Sequence, residues 1–533
     1  MSHPRLRLPL ALTAGLLTLA AFAPAASAFC GFYVSGASDK LYNNATMVVM
    51  MREGQRTVLS MQNNYQGPAE DFAMVVPVPV VLKEENVKTL DPAVFDKVDK
   101  MAAPRLVEYW EQDPCYVEPK YEEEDREGNF VERSNIMPSP TDADDGVRIE
   151  ARFSVAEYNV LVLSATDSSG LDRWLAKNKY NVPKGAKEAY QPYIDGGMYF
   201  FVAKVDAKKV KTDPQTHQIM LSPLRFHYDT KAFNLPIRLG LVNANGAQDL
   251  IVHILARGQR YQVGNMPNVT IPTNIDVTDD VRTRFGEFYA ALFDKTLAKH
   301  PGAVVTEYAW DAGTCDPCPG PNLDANDFLS LGADVQPGAP TWGFVLTRLH
   351  TRYTKETLKD DLVFEAAPAI IGGREIYADR NELEQGAKPS GTNNFQGRYA
   401  IRHVWTGEIN CQTPVRGRWG GPPSGTPNQA PVAAEDLAFA PRGKFELVSN
   451  VRRSIPELGL TAQITTQDLI LKQPKAQAAP PAATPTATPA VDPPQEASPS
   501  ASGCTVATAS ARGWSGALVI GLVAAAALVL RRR

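Results

Sequence analysis

Cys315-Asp316-Pro317-Cys318 is the one arrangement in this 533-residue chain whose residue types and spacing hint at chemistry. Two thiols three positions apart can exchange disulfides when a helix N-terminus under the first one lowers its pKa. Pro317, Pro319, Gly320 and Pro321 forbid such a helix here, because proline removes an N–H and clashes with the preceding turn. The motif therefore reads as a structural disulfide. Zinc fits less well still, since no second pair follows at ligand spacing.

Other chemistries have less to stand on. The seven histidines (His3, His217, His227, His253, His300, His350, His403) include no His-Glu-x-x-His pair, and no Gly-x-Ser-x-Gly elbow precedes a helix. His217, His227 and His253 fall in strand-like runs and read as packed or surface residues. Residues 240–246, GLVNANG, are too irregular for a phosphate loop. Asp142, Asp144 and Asp145 before Gly146 resemble part of a calcium loop. With Gly146 at position six, however, Thr141 falls at position one and Arg152 at position twelve, so the register fails. No catalytic residue, cofactor site or metal ligand is named from the sequence.

Six cysteines are present: Cys30, Cys115, Cys315, Cys318, Cys411 and Cys504. If the chain is exported, an oxidising compartment favours bridges among Cys115, Cys315, Cys318 and Cys411, with Cys30 left over and Cys504 belonging to the tail. Spacing does not reveal the connectivity.

Both ends speak for export. Arg5 and Arg7 precede an apolar run from Leu8 to Phe22, and Ala26-Ser27-Ala28 is a small-residue cleavage site, so cleavage is expected after Ala28. At the other end, Trp514 to Leu530 is apolar and Arg531, Arg532 and Arg533 follow it. Those charges would hold the C-terminus in the cytoplasm and leave the body outside. At 1.5 Å per residue the apolar run spans roughly 25 Å, barely enough for a hydrocarbon core. Residues 473–502 are Pro, Ala, Thr and Ser with almost no large apolar residue, which reads as a disordered stalk of up to roughly 90 Å.

Between these ends lie roughly 475 residues, enough for more than one full-sized core. The end segments aside, 48 basic side chains face 59 acidic ones, so no nucleic-acid partner is implied. Residues 118–145 hold ten of the acids, three bases and few apolar residues, and read as an exposed acidic loop.

Periodicity switches repeatedly between two and about 3.6 along the body, which makes the fold class α+β, with mixed, largely antiparallel sheets and several packed helices. Residues 45–51, 56–62 and 72–82 read as a meander, with Pro77 and Pro79 marking the third run as an edge or bulged strand. Val94, Val98, Met101, Leu106 and Trp110 predict a helix over Asp91 to Asp113, bent or split at Pro104. Residues 149–164 predict a long strand or a bent pair, and Ser169 is the expected cap of a short helix. Residues 198–205, 217–228, 235–242 and 248–256 read as strands. The clearest helix runs from Asp279 to His300, with Thr278 as cap; its stripe of Val281, Phe285, Phe288, Tyr289, Leu292, Phe293 and Leu297 reads as core. The Gly- and Asn-rich stretch near 264–274 suggests subdomains at 29–265 and 266–472.

Residues 43–82, with APRLVEYWEQDPC (103–115), LDRWLAKNKYNVPKGA (171–186), GMYFFVAKVD (197–206) and LPIRLGL (235–241), resemble the bacterial family called domain of unknown function 2330. The likeness covers about residues 29 to 350 and brings no established activity or site residue with it. The tail, 503–533, resembles the MYXO-CTERM sorting signal of myxobacterial surface proteins. That resemblance implies cleavage near Gly503-Cys504 by an intramembrane sorting protease, lipid attachment at Cys504, and display on the outer surface. The partners expected are thus the export machinery with its signal peptidase, the sorting protease, the membrane, and an envelope or extracellular ligand. Two classes of function stay open: a non-catalytic binding or structural module of the cell envelope, and an exported enzyme. The enzyme would be thiol-redox through Cys315 and Cys318, or a hydrolase with a site assembled from distant residues.

Overall fold

A computed structural model describes residues 32–35, 43–62, 72–116, 147–206, 208–212, 219–374, 377–378, 382–424, 431–433 and 442–472. The signal segment, the acidic loop 118–145, the stalk and the sorting tail with Cys504 lie outside the described residues.

The architecture is α+β, and two sheets stack face to face within it. The larger sheet is built around four long central strands in the order Val304–Asp311, Phe344–Tyr353, Ala244–Arg257 and Asn43–Glu53. Phe344–Tyr353 runs antiparallel to both its neighbours, and Ala244–Arg257 runs parallel to Asn43–Glu53. Asn43–Glu53 turns into Arg56–Met61 through Gly54, whose φ of +55 suits a residue without Cβ. Strands from both sides of residue 265 share this sheet.

Period-two alternation decides which layer each side chain joins. On Asn43–Glu53, Val48 and Met50 enter the core between the two sheets, whereas Met47, Val49 and Met51 meet the helices behind. The second sheet runs Phe32–Ser35, Phe72–Val78, Tyr199–Val205, Tyr158–Ala165, Val147–Val155, all antiparallel. It gives Met74, Val76, Val160, Val162 and Phe201 to the shared core. Its other face, with Val75, Leu163, Phe200 and Val202, lies under the helices Ser168–Lys177 and Ala186–Asp195. The far face of the larger sheet is covered by Ala93–Ala102, Phe285–Lys299 and Ala325–Leu331. The result is four layers, helix, sheet, sheet, helix.

Several expectations need correcting. The helix expected over Asp91 to Asp113 stops at Ala102, and Arg105–Glu111 is a strand. Pro104 forces Ala103 into extended backbone, φ −65 and ψ 146, so the helix ends rather than bends. The expected meander is a hairpin only for its first two runs. Phe72–Val78 leaves for the second sheet, where the Phe32–Ser35 strand reaches only Val75, so Pro77 has a described ladder neighbour on one side alone, Phe200. Residues 149–164, expected as a long strand or a bent pair, are the pair, a hairpin that turns at Ala156, φ +48. The short helix is capped by Asp167, whose carboxylate accepts from Gly170 N over 2.7 Å, two residues before the expected Ser169 cap. Of residues 235–242, expected as strand, only Leu235 is in one; Arg238–Asn243 winds into a 3-10 turn.

The helix expected from Asp279 begins as a 3-10 turn and becomes α-helical over Phe285–Lys299. Its aromatic stripe is buried as core. Thr278 stands at its N-cap position, as expected, but makes no side-chain cap bond; the Thr278 hydroxyl donates to Asn450 Oδ1 over 3.0 Å. Among the described residues no helix is long and apolar enough to cross a membrane.

Candidate binding groove

A third, smaller sheet lies beside these layers. Ile275–Val277 pairs parallel with Arg398–His403, which pairs parallel with Arg105–Glu111. The carboxyl ends of parallel strands are where α/β sheets tend to hold ligands. Here those ends carry Val277, Thr278, Arg402, His403, Trp110 and Glu111, all lining one open cavity of about 1020 Å³. Trp405, Arg284 and Arg452 close its sides. A second cavity of about 480 Å³ adjoins it and shares Arg402, Arg452 and Thr466.

Most charges in the groove are already engaged. Glu111 accepts from Arg416 Nε and Nη2 at 2.8 and 2.9 Å, from Gly417 N at 2.7 Å and from Trp405 N at 2.8 Å. Burial alone would raise its pKa, but Arg416 and the two backbone donors outweigh burial and hold the carboxyl below its ordinary value. A carboxylate kept ionised in this way anchors the loops at 405 and 417 and is unsuited to acid catalysis. Arg402 donates from Nε to Asp276 Oδ1 over 2.8 Å, with its guanidinium 5.2 Å from the Tyr109 ring and 4.9 Å from the Trp419 ring. His403 stacks on Trp110 at 4.7 Å and lies 2.8 Å from Glu108 Oε2. Glu108 in turn pairs with Arg282.

Arg452 differs. Its backbone is fixed on both sides, N–H to Asp276 O at 2.6 Å and C=O from Thr466 N at 3.2 Å. Its half-buried guanidinium lines both cavities, yet among the described residues no carboxylate pairs with it. A positive charge so placed, beside Trp110 and Trp405, suits a ligand with both an anionic group and an apolar face.

The most strongly perturbed titratable groups lie elsewhere. On the helix-covered face of the larger sheet, Arg348 Nε donates to Glu307 Oε2 over 2.8 Å, and Arg348 Nη1 pairs with Asp99. Tyr289 OH bonds Glu307 and sits 2.9 Å from His350 Nδ1. His350 Nε2 is 3.3 Å from Asp249, which also holds Arg352 and Arg442. His253 approaches Asp99 at 3.4 Å. His253, Glu307, Arg348 and His350 are each 0% exposed, so the middle of this chain of charges is sealed in the core, while Asp99 at one end lines a cavity of about 460 Å³ and Arg352 and Arg442 at the other are part-exposed. Burial works against the charged form of His350, but Glu307 and Asp249 outweigh it and raise its pKa; for His253 burial prevails and lowers it.

Cys115 is bonded to Cys411 across 296 positions, Cα to Cα 5.5 Å, and Cys315 to Cys318, Cα to Cα 4.9 Å. Loop-closure entropy credits the first with roughly 5 to 6 kcal/mol and the second with about 2 kcal/mol. Cys115–Cys411 therefore fastens the C-terminal segment to the strand that ends in Trp110 and Glu111. Among the described residues no three His, Cys, Asp or Glu side chains are grouped to hold a metal ion.

Sequence reading missed Arg402, His403, Trp405 and Arg452, because they meet only through the parallel pairing of 105–111 with 398–403. It also missed the buried charges. Thr347-Arg348-Leu349-His350-Thr351-Arg352 alternates as a solvent-facing strand would, and only helices arriving from 93–102 and 285–299 reveal that this face is covered.

Residues 24–365 match the model of a family described as "Uncharacterized protein conserved in bacteria (DUF2330)". No curated protein and no solved structure matches the chain. Arg402, His403, Trp405 and Arg452 lie beyond the matched residues, whereas Trp110, Glu111 and Arg284 lie within them.

Proposed function

This chain belongs to the DUF2330 family, and we propose that it is an exported, envelope-tethered protein that binds an anionic ligand non-catalytically in the groove between Trp110, Trp405 and Arg452. The carrying observation is the guanidinium of Arg452, which stands where two cavities meet with no carboxylate paired to it among the described residues. A second observation agrees with it. In enzymes the perturbed titratable groups and the principal cavity tend to coincide; here Glu307, Arg348 and His350 are sealed in the core, away from the groove. The signal segment, the Pro- and Ala-rich stalk and the Arg-ended apolar tail read from the sequence support export and tethering.

Capture from intact envelopes tests the reading. Wild-type protein, cross-linked in place, should retain an anionic envelope component or external ligand that Arg452→Glu loses while staying folded. Equal recovery by both proteins, or recovery by neither together with cytosolic fractionation of the wild type, would sink the proposal.

A further inference from the structure

The Cys315–Cys318 bridge is not what holds its own loop. Between the two cysteines, Asp316 O accepts from Gln396 Nε2 at 2.7 Å and from Arg398 Nη2, and Pro317 O accepts from Arg105 Nη1 at 2.7 Å. Arg105 and Arg398 are almost wholly buried, 0% and 1% exposed. Three side-chain donors thus clamp the two intervening carbonyls through bonds in which neither sulfur takes part. Two guanidinium groups lie directly under the loop, a source of positive charge that requires no helix.

The sulfurs differ in access. Cys318 is exposed, whereas Cys315 is half-buried and lines a cavity of about 460 Å³ with Met47, Asp99 and Met101. Asn322 Oδ1 lies 2.8 Å from Cys315 Sγ and 3.3 Å from Cys318 Sγ, and its orientation is fixed by Asn322 Nδ2 donating to Gly313 O over 2.9 Å. A disulfide has no hydrogen to give this acceptor. A dithiol has two. Asn322 therefore favours the reduced thiols and the buried arginines favour a thiolate, so both act on the reduced side of the couple.

We propose that Cys315–Cys318 is an exchange-competent disulfide that oxidises dithiols of other exported proteins. A thiolate of the dithiol attacks Cys318 Sγ; the Cys315–Cys318 bond breaks and Cys315 leaves as the thiolate. The second thiol of the dithiol, losing its proton, then attacks its own partner sulfur in the mixed disulfide and releases Cys318. Two electrons and two protons pass to Cys315 and Cys318, and the dithiol becomes a disulfide. Exchange with a small-molecule or protein disulfide in the same compartment restores the bridge.

The full chain, equilibrated across a series of reduced to oxidised glutathione ratios and quenched with a maleimide, tests the idea by peptide mass mapping. Cys315 and Cys318 are expected to become labelled at ratios where Cys115–Cys411 stays bonded, with the far-ultraviolet spectrum unchanged. Offered the disulfide form of a dithiol peptide, Cys315→Ser should accumulate a mixed disulfide, because the Cys318 thiolate attacks one peptide sulfur, releases the other as a thiol and has no Cys315 to resolve it, while Cys318→Ser should not. Asn322→Asp, which places a negative charge beside the sulfurs, should slow exchange about tenfold at pH 7. Reduction of both bridges at the same ratio would overturn the proposal, as would equal trapping by the two serine variants or an unchanged rate in Asn322→Asp.

Discussion

Arg348 and Glu307 form an ion pair, Nε to Oε2 at 2.8 Å, with neither side chain exposed to solvent. Desolvating two charges is costly, and their attraction offsets that cost only when the remaining polar atoms are also bonded. Here Tyr289 and His350 bond Glu307, and Asp99 pairs with Arg348, while Arg348 Nη2 and Asp99 Oδ2 are left without a partner among the described residues. The pair therefore acts as one member of a chain running from Asp99 to Arg442.

Removing one member should be worse than removing the pair. Glu307→Ala leaves Arg348 and His350 beside an uncompensated gap and should cost roughly 3 to 5 kcal/mol in urea unfolding. Glu307→Leu combined with Arg348→Met should cost less than either single change. Additive losses in this cycle would show that the two side chains do not act together.

The two core histidines should give opposite pH signatures. His350 has its pKa raised in the folded protein, so its contribution is fully present below the unfolded value near 6.5 and is lost as pH rises through the folded value. His253 has its pKa lowered, so it favours folding above 6.5 and penalises it as pH falls through the folded value. Urea midpoints between pH 5 and 9 should show His350→Gln flattening the alkaline side and His253→Gln the acidic side. A profile unchanged by both substitutions would refute these assignments.

Legibility in the sequence followed the range of the interaction. The 56–61 strand, the 285–299 helix and the 147–165 hairpin were visible because alternation, stripe and turn are local. The 105–111 strand was hidden because Val94, Val98 and Met101 set a helical spacing that Leu106 and Trp110 happen to continue past Pro104. The departure of Phe72–Val78 to another sheet is decided by its long-range pairing with Tyr199–Val205, to which no local pattern points. The groove is long-range throughout, since Trp110 and His403 stack across 293 positions of chain.

The two bridges should differ in their worth to folding. Cys411→Ser opens a loop of 296 positions and should cost between about 2 and 5 kcal/mol, whereas Cys318→Ser, in a loop clamped by Arg105, Arg398 and Gln396, should cost about 2 kcal/mol or less. Thermal unfolding of the two variants under identical oxidising conditions reads the difference. A larger loss for Cys318→Ser would reverse the assignment of the structural bridge.

The groove can be altered without touching its charges. A Cβ added at Gly407 would lie 2.8 Å from Cζ2 and 2.9 Å from Cε2 of Trp405, closer than real carbon contacts allow. Gly407 is exposed and its backbone is not left-handed, so Gly407→Ala should change stability by no more than about 0.5 kcal/mol while displacing the indole. Ligand capture should then weaken severalfold with Arg452 intact, and the tryptophan emission should shift in wild type but not in a Trp405→Phe background. If capture falls only with Arg452→Glu and is indifferent to Gly407→Ala, the ligand is held by charge alone and the indole wall has no part in binding.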